Sequence, residues 1–170
     1  MELQKFIRDV PDFPKPGIIF KDITPLLGDP EAFKHMISIF AQRYRGQNIS
    51  HICGIESRGF IIGAALALEL GVGFVPIRKA GKLPYKTRRR EYSLEYGTDA
   101  VEIHEDAVKP GEKVVLVDDL IATGGTAQAA LELLEDIGAE VAEIAFAIEL
   151  EFLQGKEKFA GRKVFCLLKY

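Results

Sequence analysis

The stretch from Lys113 to Thr126, KVVLVDDLIATGGT, constrains the fold more than any other part of this chain. Its continuous apolar run, Val114–Val117, is typical of a strand buried on both faces, as in the centre of a parallel sheet. Gly124 and Gly125 let the chain turn with φ > 0 and let an anion approach the backbone closely. The apolar residues beyond them repeat at helical spacing. A strand, a small-residue loop and a helix N-terminus in this order favour an anion site, because loop amides and the helix dipole stabilise negative charge.

Two carboxylates, Asp118 and Asp119, come between this apolar run and the loop. They would repel a phosphate, so they are better placed to bind hydroxyl groups or a hydrated divalent cation. A sugar phosphate satisfies both halves, with Thr123 and Thr126 as further hydroxyl donors. The alternative is a tight strand–helix turn with two solvated acids. The loop matches neither the Walker pattern nor GxGxxG.

The remaining pattern alternates strands with helices, which predicts an α/β fold with a mainly parallel central sheet flanked by helices. Ligands of such sheets bind at the carboxyl ends of the strands. With 170 residues and no composition break, we expect a single domain over residues 1–170. The expected helices cover residues 3–10, 30–45 after an Asp29 cap, and 60–70; the expected strands cover 51–56, 73–77, 92–96, 101–104, 139–149 and 163–168.

A strongly basic run follows the third of these strands. Seven lysines and arginines fall within residues 78–90 of an otherwise acidic chain, and Gly81 and Pro84 predict a loop there. With the hairpin expected to turn at Gly97–Asp99, residues 78–104 form a candidate flap that closes on a polyanion. A solvated charged face and a nucleic-acid contact are the alternatives, although few aromatic residues are interleaved.

Two further segments precede that run. Arg58 follows a predicted strand at a helix N-terminus and is a ready anion contact, unless it simply pairs with Glu56. The proline-rich segment 11–27 is irregular yet apolar, so it either covers a ligand or lies as a loop on the core.

Composition excludes several classes of function. The net charge of −3 gives no general attraction to nucleic acid or to a membrane surface. No apolar run approaches transmembrane length and the N-terminus lacks a signal-type core, so we expect a cytoplasmic location. Cys53 and Cys166 are isolated and predict buried free thiols, and the three histidines show no metal-ligand spacing.

Four separated segments resemble the adenine phosphoribosyltransferases, a family of type I phosphoribosyltransferases. They are FPKPGIIFKDITPLL at 13–27, ESRGF at 56–60, residues 78–96 ending in YSLEY, and 114–126, in family order. The resemblance implies a pentosyltransferase of purine salvage that moves the phosphoribosyl group of phosphoribosyl pyrophosphate (PRPP) to N9 of adenine, giving AMP and pyrophosphate. It also implies Mg²⁺ dependence, with the metal held mainly by the phosphates rather than by the protein, a hood over the base site at 1–30, and a homodimer.

The resemblance also implies residue roles. The residues that bind the 5′-phosphate are Ala122, Thr123, Gly124, Gly125 and Thr126. Asp118 and Asp119 bind the ribose hydroxyls. The pyrophosphate-binding residues are Arg58, Lys79 and Lys82. Glu95 is the acid/base for the purine. The adenine-binding residues are Ile19, Phe20, Lys21 and Leu150. Lys21 stands where an arginine is common, and Arg88–Arg90 have no assigned role. Rival hypotheses are a transferase for another purine, a nucleic-acid-binding regulator with this fold, and a purely structural α/β protein.

Overall fold

The computed structural model describes residues 1–94 and 97–170, with only the backbone of Leu94. Contacts divide the chain into two units, Met1–Arg43 and Tyr44–Tyr170. Among the described residues no helix is long and apolar enough to cross a bilayer.

The first unit departs from the expected helix at the N-terminus. A 3-10 helix covers only Leu3–Phe6, and strand β1 (Arg8–Pro11) follows. It pairs antiparallel with β2 (Ile19–Asp22), with Val10 opposite Phe20. The helix predicted for residues 3–10 is therefore wrong beyond Phe6, and the segment predicted to be irregular contains a strand.

Two helices complete this unit. Helix α1 spans Thr24–Gly28 and α2 spans Pro30–Tyr44. The predicted cap is confirmed, because Asp29 Oδ1 accepts hydrogen bonds from the amides of Glu31 and Ala32 at 3.1 and 2.8 Å.

The second unit carries the large sheet, whose strand order over the described residues is β5-β6-β4-β3-β7-β8-β9. Strands β4, β3, β7, β8 and β9 run parallel, while β6 and β5 extend one edge antiparallel. The mainly parallel α/β fold is thus confirmed. The bounds are β3 His51–Ile55, α3 Arg58–Leu70, β4 Gly73–Lys79, β5 Thr87–Leu94, β6 Gly97–His104, β7 Lys113–Ile121, α4 Gly125–Asp136, β8 Glu140–Glu149 and β9 Val164–Lys169, with 3-10 helices at Glu151–Leu153 and Gly155–Phe159.

The hairpin differs from its prediction in length and turn. Gly97 pairs with Leu94 and Asp99 with Tyr92, so Gly97–Asp99 lie in strand β6 rather than in the turn. Arg88–Arg90 lie in β5, so the basic run is not one continuous loop. Arg90 makes ion pairs with Glu132 and Asp136 of α4, at 3.3 and 2.5 Å. These contacts tie the edge strand to α4.

Helix α3 approaches the sheet closely, and its glycines explain how. A Cβ at Gly63 would lie 2.9 Å from the ring of Phe74, and one at Gly54 would lie 2.8 Å from the carbonyl oxygen of Gly59. Neither position has room for a larger residue. The short distance brings the N-terminus of α3 against the carboxyl ends of β3 and β7.

Candidate active site

A cleft of about 310 Å³ opens at the carboxyl ends of β3, β4 and β7. The parallel topology explains the convergence, since these strands end at the same edge of the sheet. The cleft is lined by Ile55, Glu56, Ser57, Arg58, Lys79, Asp118, Asp119, Leu120 and Thr126. Five predicted site residues from three separate segments therefore meet in one place: Arg58, Lys79, Asp118, Asp119 and Thr126.

The acid pair lies inside strand β7 rather than beyond its end. Asp118 pairs with Phe146 of β8, and the ladder continues to Ile121 and Glu149. Asp119 is 5% exposed and accepts a hydrogen bond from Arg58 Nε at 2.5 Å. Arg58 therefore pairs with an acid, as in the alternative of a local acid such as Glu56, and the acid is Asp119 of β7.

Asp118 sits where a negative charge is costly. Burial, followed by repulsion from Asp119, raises the pKa of the Asp118 carboxyl well above its usual range. Its Oδ1 accepts a hydrogen bond from the backbone amide of Asp119 at 2.8 Å. A Cβ at Gly59 would lie 2.9 Å from the same oxygen. The close packing of α3 thus confines one acid while Arg58, on the same helix, binds the other.

Glu56 binds Arg78 and one of the three residues predicted to bind pyrophosphate, Lys82. Its carboxylate accepts hydrogen bonds from Arg78 at 3.2 and 3.3 Å, from Lys82 Nζ at 2.9 Å and from the Lys79 amide at 3.0 Å. Burial acts to raise its pKa, but the hydrogen bonds from Lys82 and Arg78 outweigh burial and lower the pKa to about 2. Lys82, which is predicted to bind pyrophosphate, is thus held by Glu56 in this structure.

Lys79 is held on the other side, by the hairpin. Its ammonium donates to Tyr92 Oη at 2.6 Å and forms an ion pair with Asp99. Burial opposes the charged form, yet the Asp99 and Tyr92 contacts raise the pKa of Lys79. The pair keeps a charged ammonium at the cleft wall.

The loop Ala122–Thr126 surrounds a smaller cleft of about 110 Å³ that also includes Asp118. Gly124 has φ of +81° and precedes the first residue of α4, Gly125. This conformation favours glycine and turns the chain into the helix N-terminus, where free amides are available to an anion. Gly125 does not share the positive φ. The expectation that both glycines need φ > 0 is therefore wrong for Gly125.

Gly155 makes a close contact with the loop Ala122–Thr126 that the sequence does not predict. It lies in the 3-10 helix Gly155–Phe159, and a Cβ there would overlap the carbonyl oxygen of Ala122. The Gln154–Gly155 pair is an ordinary turn signal in the sequence. No local pattern indicates that it would approach a loop so distant along the chain.

The residues predicted to bind the base are divided between the two units. In the first unit, Ile19 is 55% exposed, Phe20 packs edge-on to Phe13 with ring centroids 5.3 Å apart, and Lys21 pairs with Asp9 at 2.6 Å. In the second, Leu150 follows β8, is half-buried and donates its amide to the Ile121 carbonyl at 3.1 Å. Glu95, predicted to act on the purine, lies outside the described residues.

The acidic side chains do not form a metal site of their own in the part of the chain that the structure describes. Among residues 1–94 and 97–170, no three His, Cys, Asp or Glu side chains are grouped to hold a metal ion. Of the two carboxylates in the cleft beside the loop, Asp119 already binds Arg58. This donor set fits a divalent ion that brings most of its oxygen ligands from a phosphate or from water.

Comparison with known proteins agrees with this geometry. Residues 23–166 match the phosphoribosyl transferase domain family. The adenine phosphoribosyltransferase of Syntrophotalea carbinolica is 57% identical over 169 residues, covering 99% of each chain. The crystal structure of the Thermoanaerobacter pseudethanolicus adenine phosphoribosyltransferase superposes with a TM-score of 0.95 at 52% identity, covering 99% of this chain and 98% of that one.

A similar structure of lower identity contains bound ligands. The Saccharomyces cerevisiae adenine phosphoribosyltransferase, complexed with an imino-altritol bisphosphate and adenine, superposes with a TM-score of 0.93. It is 45% identical, and the match covers 98% of this chain and 96% of that one. On the family match, the identities and the shared fold, this chain belongs to the phosphoribosyltransferase family, in its adenine phosphoribosyltransferase branch.

Proposed function

We propose that the protein transfers the 5-phosphoribosyl group of PRPP to N9 of adenine and releases AMP and pyrophosphate. The observation that carries the proposal is the cleft in which Arg58 and Lys79 face Asp118 and Asp119 beside the loop Ala122–Thr126. Cations, acids and an anion-binding loop in one cleft match the pyrophosphate, the ribose hydroxyls and the 5′-phosphate of PRPP. Family membership supplies the reaction class.

The 5′-phosphate binds to the amides of Ala122–Thr126, and the ribose hydroxyls donate to Asp118 and Asp119. Pyrophosphate binds to Arg58, Lys79 and Lys82. Because Lys82 is held by Glu56, its ammonium must leave Glu56 or be shared between Glu56 and the pyrophosphate. These contacts fix C1 of the ribose between the leaving group and the base.

In the chemical step the bond from C1 to the pyrophosphate oxygen breaks and the bond from N9 to C1 forms. The electron pair of the broken bond leaves with pyrophosphate, where Arg58 and Lys79 stabilise it. Positive charge develops on the sugar, and the carboxylates beside it favour that charge. The N9 proton passes to a base, for which Glu95 is the predicted group.

Mg²⁺ is the proposed cofactor, with phosphate oxygens and water as its main ligands and Asp118 and Asp119 as the neighbouring carboxylates. When bound, it neutralises charge on the leaving pyrophosphate. Closure of the segment 78–104 over the cleft would exclude water that could otherwise hydrolyse the sugar.

The base site and the assembly complete the proposal. Adenine contacts Ile19, Phe20, Lys21 and Leu150, with residues 1–30 as the hood of a single domain. We also propose a homodimer, supported by the exposed apolar side chains of Ile61 and Leu68 on α3. A cytoplasmic location is supported by the two free cysteines, Cys53 and Cys166, because thiols persist in reducing compartments.

Product analysis tests this function. Incubation with PRPP, adenine and Mg²⁺ should yield AMP and pyrophosphate in equal amounts, and removal of divalent metal should abolish the yield. Absence of AMP under these conditions would contradict the proposal, whereas hydrolysis of PRPP alone would indicate a different reaction.

A further inference from the structure

Gly124 and Gly155 lie against each other although they are far apart in the chain. A Cβ at Gly124 would lie 2.7 Å from the carbonyl oxygen of Gly155, and a Cβ at Gly155 would overlap the carbonyl oxygen of Ala122. Both obstacles are backbone atoms, which cannot rotate away as the end of a side chain can. The loop Ala122–Thr126 therefore has its backbone packed directly against the 3-10 helix Gly155–Phe159.

The two glycines are needed for different reasons. Gly124 has φ of +81°, so glycine is favoured there by conformation as well as by space. Gly155 is buried and does not have a positive φ. The absence of a side chain at Gly155 thus serves the close approach alone, since its backbone conformation is open to other residues.

The 3-10 helix is itself fixed to the end of the sheet. Glu149, the last residue of β8, is 7% exposed, and its Oε2 lies 2.8 Å from Lys156 Nζ. Backbone hydrogen bonds hold the intervening chain, from Leu150 to the Ile121 carbonyl at 3.1 Å and from Glu151 to the Tyr170 carbonyl at 2.8 Å. The residue next to Gly155 is therefore tied to a strand that pairs with β7.

We infer that Gly155 is a positioning residue for the phosphate loop and that the Glu149–Lys156 ion pair holds Gly155 in place. This inference rests on the proposed function, in which Ala122–Thr126 bind the 5′-phosphate. Loop amides stabilise an anion only when they converge on it, so a shift of the Ala122 carbonyl reorients the neighbouring amides. The segment 150–159 acts on phosphate binding through the loop.

Calorimetric titrations with AMP and, separately, with pyrophosphate and Mg²⁺ test the inference. Gly155→Ala should weaken AMP binding by about tenfold or more, because a displacement of about 1 Å in a binding group can cost about 10²-fold. Pyrophosphate affinity should stay unchanged, since Arg58 is on α3 and Lys79 is on β4, and neither belongs to the loop that Gly155 contacts. In kinetics, the KM for PRPP should rise more than the KM for adenine. Glu140→Gln is the control, because Glu140 is the first residue of β8, at the opposite end of the strand from the cleft, and the substitution weakens its contact with Lys113 Nζ at 3.8 Å.

Glu149→Gln distinguishes an effect on the position of the phosphate loop from a direct effect of charge on AMP. It also tests the inference if Gly155→Ala does not fold. If charge acted alone, removing the negative charge of Glu149 would strengthen AMP binding. We expect weaker AMP binding instead, because the substitution removes the ion pair that holds Lys156. Lys156→Met should weaken AMP binding and Lys156→Arg should restore it. Unchanged AMP affinity in the folded variants, or equal loss of AMP and pyrophosphate binding, would overturn the inference. Failure of the wild-type protein to bind AMP would instead overturn the proposed function.

Discussion

Arg58 Nε donates to Asp119 Oδ2 over 2.5 Å, and this contact joins the N-terminus of α3 to the central strand β7. It links the cation proposed for pyrophosphate to an acid proposed for ribose. Asp119→Asn keeps the shape of the side chain but removes its charge. We expect kcat/KM to fall by about 10²–10³, as for loss of one transition-state contact.

The control for this variant is Glu135→Gln, which breaks an ion pair with Arg162 outside the cleft. It should leave kcat/KM unchanged. Steady-state kinetics with adenine and PRPP measures both variants. Near-normal kcat/KM in Asp119→Asn, with a normal melting temperature, would remove this aspartate from the mechanism.

The raised pKa of Asp118 indicates that its carboxylate lowers the stability of the folded protein, although the proposed function requires it. Asp118→Asn removes a buried charge that Asp119 repels, so it should raise Tm at neutral pH while lowering activity. A gain of a few degrees is expected, since about 1 kcal/mol shifts Tm by about 2–4 °C for a chain of this size. The gain should be full above the raised folded-state pKa. It should shrink as pH falls towards the unfolded value near 3.8, because the wild-type carboxyl becomes neutral.

Scanning calorimetry at several pH values measures this difference. A destabilised Asp118→Asn at neutral pH, or a gain that grows as the pH falls, would show that the carboxylate is stabilised where it lies.

The phosphate loop makes a separate prediction at Gly125. Among the described residues, a Cβ at this position would meet Ser93 O at 3.7 Å and the Tyr92 ring at 3.9 Å, which are ordinary van der Waals contacts that tolerate a side chain. Gly125→Val should therefore fold, yet AMP binding should be lost because the branched side chain occupies space proposed for the phosphate. Gly125→Ala should show a smaller loss. AMP binding of wild-type strength in Gly125→Val would place the phosphate elsewhere.

The basic segment predicts a ligand-dependent pattern of proteolysis. Lys82 and Lys86 lie between β4 and β5, whereas Arg88–Arg90 lie within β5. Trypsin should cut first at Lys82 and Lys86, because irregular backbone reaches a protease more easily than a paired strand. PRPP with Mg²⁺ should slow those cuts. Equal rates with and without the ligand would count against closure of this segment.

The strand–loop–helix at 113–126 could be predicted because its signals are local: an apolar run, glycines and helical spacing. The residue at which the strand of this segment ends could not be predicted. Asp118 and Asp119 indicate the end of a buried strand in sequence, but the backbone ladder to β8 continues past them to Ile121. Side-chain polarity does not report which backbone groups find partners.

Contacts between distant segments account for the other differences. Val10 fits a helical repeat with Leu3 and Phe6, yet it pairs with Phe20 in a ribbon that depends on a partner across a turn. Gly155 matches a turn in sequence, and its contact with Ala122 exists only in the folded chain. The sequence suggests Glu56 as a local partner for Arg58, whereas in the fold it binds Arg78 and Lys82, which lie more than 20 residues away along the chain.

Selectivity for the base tests the central claim most directly. The measurement is kcat/KM at saturating PRPP and Mg²⁺ for adenine, hypoxanthine, guanine and xanthine. Adenine should be preferred by about 10⁴ or more, because a site that hydrogen-bonds the exocyclic amine and N1 leaves polar groups unpaired with a 6-oxo base. Comparable rates with hypoxanthine or xanthine would contradict the adenine assignment while leaving the transferase class in place.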